Sequence, residues 1–362
     1  MFGKEKFYSL KKILSYDCQY NIIFGERSIG KTYAALMHGL QNYVDKGEKF
    51  AYIRRWKEDF IGKRGTTLFD GLINNNEVDK LTNGEYNNIF YKSGRWYLCK
   101  MEDGEKVHIQ EEPFCYGFSI ASSEHDKSTS YPDVTTIIFD EFMTRKFYLP
   151  DEFILFMNLL STIIRQRNNV QIFMLANTVS KYCPYFSEMG INHFKQMKQG
   201  DIDIYNYGES SLKLAVEFCK HKKDGKKSDV YFAFDNPKLS MITGGVWEVD
   251  IYPHLPHKYT PKDILLTYFI QFNGDLLQCE IINKNGDIFT FVHPKTSEIK
   301  DLNAIIYTTD DSPQERYKKY ITRPRTKAER IIYEFFLRNK VFYSSNEVGE
   351  MVRNYLVFCG KV

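Results

Sequence analysis

Residues 20–32 read Tyr20-Asn21-Ile22-Ile23-Phe24-Gly25-Glu26-Arg27-Ser28-Ile29-Gly30-Lys31-Thr32, and this stretch decides the fold. Residues 20–24 are a short apolar run of the kind that forms a buried strand. Residues 25–32 fit the pattern GxxxxGK followed by Ser or Thr at every required position. A helical stretch with Ala, Leu and Met on one face follows over 33–43, and 50–53 reads as a second strand. Together they make a βαβ unit. The glycines let backbone N–H groups curl around an anionic phosphate. The helix starting near Gly30 aims its positive end at the same phosphates. Lys31 adds a point charge for the β- and γ-phosphates, and Thr32 a hydroxyl for Mg²⁺. The expected nucleotide-binding residues are thus Gly25, Glu26, Arg27, Ser28, Ile29, Gly30, Lys31 and Thr32. Arg27 has two open readings, a phosphate contact or a link to a neighbouring subunit.

Further along stands Val134-Thr135-Thr136-Ile137-Ile138-Phe139-Asp140-Glu141, an apolar strand ending in two acids. Coupled to the phosphate loop, Asp140 is expected to hold the Mg²⁺ shell. Glu141 is expected to polarise water for in-line attack on the γ-phosphate. A glutamate there argues against a small-molecule kinase, which must keep water from that phosphate. Residues 151–165 carry a helix pattern, and 170–175 read as another strand. Asn177 at that strand's end either senses the γ-phosphate or serves as a turn residue. Arg165 and Arg167 suit a transition-state contact made across a subunit boundary, or the negative end of a helix dipole. Residues 89–98 read as a hairpin and 114–121 as a strand. Strands alternating with helices imply an α/β fold with a mainly parallel sheet.

The chain has 362 residues, 43% of them hydrophobic and 26% charged, with seven cysteines and a net charge of +3. That composition suits about two globular domains and excludes a disordered chain, a collagen or a small disulfide scaffold. The cysteines lack CxxC spacing and read as free thiols in a reducing compartment. No apolar run reaches about 18 residues, so no membrane span is expected, nor is a secretory signal. With so small a net charge, any nucleic-acid surface must be local.

From about residue 198 the character changes. A basic, Gly-containing stretch at 221–227 reads as an exposed loop. Two domains and a connection are therefore expected: a phosphate-loop domain over 1–197, a linker over 198–245 and a C-terminal domain over 246–362. In the last, 265–272, 276–282 and 288–292 read as an antiparallel meander, with Asn273-Gly274 and Asn285-Gly286 as type I′ turns. Residues 324–357 look helical. A two-metal nuclease would need converging carboxylates, one of them mid-strand on the first strand of the meander. That strand has none, Asp275 and Asp287 fall in turns, and Glu280 stands alone in the second strand. Over 316–340, nine basic residues face two acidic ones, with tyrosines interleaved. A phosphate-backbone contact explains this pattern. Lys318, Lys319, Arg323, Arg325 and Lys327 are the candidates.

Taken together, these residues resemble the DNA-packaging ATPases (encapsidation proteins) of phi29-like bacteriophages. The likeness lies in Leu14-Ser15-Tyr16-Asp17, the arginine-bearing phosphate loop, Tyr52-Ile53-Arg54-Arg55-Trp56-Lys57, Lys127-Ser128 and Tyr131-Pro132-Asp133-Val134. It continues through Phe139-Asp140-Glu141-Phe142, Arg165-Gln166-Arg167 and Leu175-Ala176-Asn177-Thr178-Val179-Ser180. It is strongest over 10–185. Beyond that it rests on Phe272-Asn273-Gly274 and Thr308-Thr309-Asp310-Asp311.

The resemblance implies a P-loop ATPase of the additional-strand (ASCE) class with a smaller RNase H-like, nuclease-derived C-terminal domain that lacks the catalytic acids. It implies ATP and Mg²⁺ as cofactors and ATP-driven translocation of double-stranded DNA into a procapsid. The motor would be a homo-oligomeric ring, pentameric in expectation, acting in the host cytoplasm while docked on the phage portal. A structural packaging RNA is a further implied partner, so RNA or the portal competes with DNA for the basic cluster. Arg165 becomes the trans-acting finger and Lys57 a trans-acting or nucleotide-exchange residue. Lys127, ahead of the acidic strand, becomes a candidate DNA grip, since a motor indifferent to sequence should hold phosphates. The rival readings are another P-loop DNA translocase or helicase, and a terminase-like ATPase with an active nuclease.

Overall fold

The apolar run ahead of the phosphate loop forms β1 (Tyr20–Gly25), buried along all but its first residue. In this computed structural model the described residues are 8–122, 130–144, 148–149, 151–178, 183–220, 251–272, 274–309 and 316–360. The chain divides into two compact units, Met1–Glu248 and Val249–Val362.

In the first unit, β1 is followed by α1 (Lys31–Lys46), β2 (Lys49–Arg54), β3 (Asn88–Lys92), β4 (Arg95–Glu102), β5 (Glu105–Ile109) and β6 (Cys115–Ser119). Then come β7 (Val134–Asp140), α2 (Glu152–Ile164), β8 (Gln171–Asn177), α3 (Pro184–Glu188), β9 (Ile202–Asn206) and β10 (Lys213–Phe218). One sheet runs β3-β4-β6-β2-β7-β8-β1-β10-β9, with β5 on β4. The stretch from β6 to β10 is parallel throughout. Helices cover both faces, so these strands are continuous apolar runs instead of alternating ones. On one face Ile22, Phe24, Phe139, Phe156 and Tyr185 pack together. On the other, Ile23, Leu36, Leu40, Phe50 and Phe173 do so. Insertion of β8 between β1 and β7 is the additional-strand order. It brings the ends of all three strands to one edge, where open α/β sheets bind ligands.

One expectation changes here. The linker does not begin at 198, because β10 pairs parallel with β1 from Tyr20↔Leu214 to Phe24↔Phe218, and β9 pairs antiparallel with β10. The apolar stretch Leu214-Ala215-Val216 is buried as sheet core. The remainder of the expected linker, 221–245, lies outside the described residues. The sheet is parallel-rich as expected, with the expected hairpin β3-β4 and the strand β5 forming an antiparallel ribbon at one edge.

The second unit contains β11 (Ile264–Phe272), β12 (Asp275–Lys284), β13 (Asp287–Pro294), β14 (Ile306–Thr308), β15 (Tyr317–Lys318), α4 (Lys327–Leu337), β16 (Val341–Tyr343) and α5 (Asn346–Phe358). The meander is present, and Asn285 (φ 54°) and Gly286 (φ 88°) take the left-handed values that a type I′ turn needs. β14 and β15 add to β11 in parallel, giving the order β15-β14-β11-β12-β13-β16. An antiparallel triplet extended by parallel strands on its first member is the RNase H arrangement. The expected helical tail is interrupted: Val341–Tyr343 leaves the helical path to pair with β13. Among the described residues, no helix is long and apolar enough to cross a membrane.

Candidate active site

The register of the sheet assembles the site. Gly25 at the end of β1 lies beside Asn177 at the end of β8, and Phe139 in β7 lies beside Ile53 in β2. The loop after β1 turns through Gly30, whose φ of 95° starts α1 from a left-handed conformation. At Gly25 a Cβ would sit 2.9 Å from the Cβ of Cys219, so the strand end admits only glycine without a shift. Glu26 is buried, Arg27 and Ser28 are exposed, and Ile29 is half-buried. The Ile29 carbonyl accepts the Tyr8 N–H at 2.8 Å.

Lys31 is 6% exposed. Its Nζ donates to the carbonyl of Glu26 at 2.5 Å, and to that of Gly25 at 3.4 Å and Asn177 Oδ1 at 3.3 Å. Burial pulls its pKa down, while Cys219, Asp140 and Glu26 work in the opposite direction. Thr32 Oγ1 donates to Asp140 Oδ2 at 3.0 Å. A hydroxyl and a carboxylate at this spacing are hard oxygen donors, the set that suits Mg²⁺ when phosphate and water complete its octahedron. Lys31, Thr32, Asp140 and Asn177 thus converge from three elements.

Two residues of the site were missed as such in the sequence. Tyr52 Oη donates to Asp140 Oδ2 at 2.9 Å. Burial first and Asp140 second push its pKa well up, so it stays a donor. Arg54 Nη2 donates to Glu141 Oε2 at 2.6 Å, and Arg54 Nε to Asp59 Oδ2 at 3.3 Å. Tyr52 and Arg54 stand two apart on β2 and face the same side. The signal was there, but only the pairing of β2 with β7 gives it meaning. Glu141 itself has φ 56°, an uncommon value for a non-glycine residue. A cleft of about 470 Å³ opens beside it, bounded by Tyr52, Arg54, Asp59, Arg64 and Trp96. Lys57 is exposed and begins the short turn Lys57–Phe60 after β2.

The structure separates the two arginines that the sequence left together. Arg167 donates to the carbonyls of Tyr131, Pro132, Val134, Ile163 and Ile164 at 2.7–3.2 Å, which binds it to its own fold. Arg165 caps α2 with φ 54° and lines a groove of about 580 Å³ with Tyr131, Pro132 and Ser161. That groove lies at the Val134 end of β7, whereas Asp140 stands at the other end. Six residue steps of about 3.3 Å put roughly 20 Å between the two ends. Arg165 does not join the phosphate site of its own chain.

Among the nucleic-acid candidates, Lys127 lies outside the described residues. The others gather around the start of α4. Lys318 is half-buried and 3.9 Å from Glu329 Oε1. Arg323 lies over the Tyr320 ring at 4.6 Å, and that ring stacks on Phe358. Arg325, Lys327 and Lys319 are exposed. Glu280 is committed elsewhere: Tyr259 Oη and Gln278 Nε2 each donate to it at 2.5 Å.

The chain is 32% identical over 315 residues to the DNA packaging protein of Bacillus phage phi29, covering 85% of this chain and 84% of that protein. It is 32% identical over 182 residues to the DNA packaging protein of Bacillus phage B103, covering 49% of this chain and 50% of that one. Its fold is similar to the Phi-28 gp11 DNA packaging motor, with a TM-score of 0.59 at 18% identity over 99% of both chains. It is also similar to the bacteriophage Phi-29 viral genome packaging motor assembly, with a TM-score of 0.56 at 21% identity over 98% of this chain and 99% of that one. The model of the podovirus DNA encapsidation protein (Gp16) family matches residues 2–226, and the chain belongs to that family.

Proposed function

We propose that this DNA-packaging protein is an ATP-hydrolysing motor that drives double-stranded DNA into a procapsid. One observation carries the reading. Lys31, Thr32, Asp140, Glu141 and Asn177 converge at one edge of the sheet, while Arg165 stands at the opposite edge.

Lys31 leaves its carbonyl partners to meet the β- and γ-phosphates, and Asn177 stays within reach of the γ-phosphate. Thr32 and Asp140 would hold Mg²⁺, which when bound would neutralise phosphate charge. Glu141 orients and deprotonates the attacking water, a role that needs its carboxylate free of Arg54. Arg165 completes the site of a neighbouring copy, where a guanidinium offsets charge on the transferring phosphoryl group. Each chain then carries parts of two sites, which suits a closed ring of identical subunits, five in the expected assembly. Lys57 on the exposed turn after β2 is the second candidate for action on a neighbour.

The cations around α4, with Arg323, Arg325 and Lys327 exposed, are the proposed contact to DNA, a packaging RNA or the portal. The ring works in the host cytoplasm, docked on the procapsid.

The test is ATP hydrolysis against added linear double-stranded DNA, with wild type and Arg165→Ala mixed in varying ratios. DNA-stimulated turnover that falls faster than the wild-type fraction supports shared sites. Turnover that ignores DNA and falls in proportion refutes the motor reading. Strand separation on a forked duplex would favour a helicase.

A further inference from the structure

Consecutive arginines grip Glu141 from two sides. Arg54 holds its carboxylate, as described above. Arg55 points to the other face of β2 and holds its backbone: Nη1 donates to the Glu141 carbonyl at 3.2 Å and Nη2 to the Phe142 carbonyl at 2.6 Å. Arg55 is fixed in turn by a two-point pair with Glu152, Nε to Oε2 at 2.7 Å and Nη2 to Oε1 at 2.8 Å. Glu152 also accepts the Tyr185 hydroxyl at 2.8 Å and the Leu149 N–H at 2.7 Å. All three side chains are buried, Arg55 at 5%, Glu152 at 2% and Tyr185 at 0% exposure.

We infer that Arg55 and Glu152 are positioning residues for hydrolysis: they set the backbone turn that aims the Glu141 carboxylate. The inference rests on the hydrolytic reading above. A buried ion pair is weak evidence for stability, because apolar residues of the same volume often serve as well. What this pair does that apolar residues do not is donate to two carbonyls of the turn after Asp140. Glu141 sits there in the left-handed region, a conformation that persists only where the surroundings over-determine it. Among the described residues the turn is also held by the Glu141 N–H on Asp140 Oδ1 at 3.0 Å, the Phe142 N–H on the Leu175 carbonyl at 3.2 Å and the buried Phe142 ring packed on Phe139 and Tyr185. Without Arg55 the Glu141 and Phe142 carbonyls lose these donors, and a shift of about 1 Å in a catalytic group can cost on the order of a hundredfold in rate. Glu152 stands in the first turn of α2, the helix that ends at Arg165. The clamp therefore ties the water-activating turn to the element that carries the proposed trans-acting arginine.

The experiment measures kcat and KM for ATP hydrolysis by the full chain with DNA, and binding of ATPγS, in Glu152→Gln, Glu152→Asp and Tyr185→Phe. Glu152→Gln is expected to lower kcat about 10- to 100-fold, with ATPγS affinity and KM within about threefold. Glu152→Asp should recover part of the loss. Tyr185→Phe removes one hydroxyl and keeps the packing, so it should lower kcat about 3- to 10-fold with the same split. If Glu152→Gln does not fold, Tyr185→Phe decides. Unchanged kcat in the folded variant overturns the inference. So does a loss of KM and ATPγS affinity as large as that of kcat, which would mark general damage. Absence of turnover in the wild type would instead refute the hydrolytic reading itself.

Discussion

Arg165 and Arg167 are two residues apart, yet replacing them should have opposite consequences. The Arg167 guanidinium donates to five carbonyls, two at the end of α2 and three in the segment leading to β7. Hydrogen bonds from a charged donor contribute roughly 1.5–3 kcal/mol each. They share one side chain, and the contact to Pro132 is exposed, so water replaces part of what is lost. Counting two effective bonds gives about 3–6 kcal/mol for Arg167→Ala. For a unit of this size each kcal/mol moves the melting temperature by about 2–4 °C. The expected fall is therefore about 6–24 °C. It is read in the unfolding transition that nucleotide raises, since a bound ligand stabilises the unit that holds it. Arg167→Lys keeps the charge but not the planar fork, and should recover about half. Arg165→Ala should leave the melting temperature within about 2 °C while lowering assembly-dependent turnover, because an exposed side chain away from the core changes stability little. A fall of less than about 2 °C for Arg167→Ala would refute the assignment of that residue to the fold.

Glu141→Gln should keep ATP binding and lower turnover by about 10²–10⁴, the usual contribution of a general base, which single-turnover kinetics would check. In the second unit His293 and Glu280 lie 3.6 Å apart. The hydrogen bond to Glu280 raises the His293 pKa above 6.5, and that pull outweighs burial. Burial works against the Glu280 charge, but His293, Tyr259 and Gln278 carry the net shift below 4.5. The histidine's contribution is complete below 6.5 and lost as pH rises through its folded pKa. The glutamate's is complete above 4.5 and lost as pH falls through its folded pKa. Their pairing should therefore stabilise this unit most between those values, and Glu280→Gln should remove the fall in its melting temperature on either side of that window. Replacing Arg323 and Lys327 together by Ala should lower the salt slope of DNA binding by about 2 without changing sequence preference; an unchanged slope would exclude both from the phosphate contact.

Much of the site was legible because its chemistry is local. The phosphate loop lies within 25–32, and Asp140-Glu141 follows directly from the apolar run before it. Tyr52 and Arg54 are equally near Asp140 and Glu141, but their role depends on β2 lying beside β7, which no local pattern states. The Arg55–Glu152 pair spans 97 positions and was invisible for the same reason. Strands were missed where burial gives no pattern. β5 is exposed at every residue, so it shows no alternation to read. β16 has three residues, too few to interrupt a helical period. The misplaced linker shows the converse error: the basic stretch after residue 220 drew attention from Leu214-Ala215-Val216, whose burial against β1 ties it to the phosphate loop.

The second unit keeps an RNase H strand order, and its register shows why the nuclease reading fails on the described residues. The first strand of such a fold should carry a carboxylate beside the strand that joins it in parallel. Here β11 offers Gln271, directly opposite Thr308 of β14. Glu280, the mid-strand acid of β12, is 5% exposed and occupied by Tyr259 and Gln278. Among the described residues, no group of three or more His, Cys, Asp and Glu side chains could hold a metal. Asp310 and Asp311 lie outside the described residues, and whatever they contribute, β11 has Gln271 and no first-strand acid of the kind two-metal cleavage requires. Linear and circular DNA incubated with the full chain and Mg²⁺ or Mn²⁺ should therefore stay intact at concentrations that support ATP turnover. Metal-dependent cutting that disappears in Asp310→Asn or Asp311→Asn would show that these acids suffice without the first-strand carboxylate, and would return the terminase-like reading to the front.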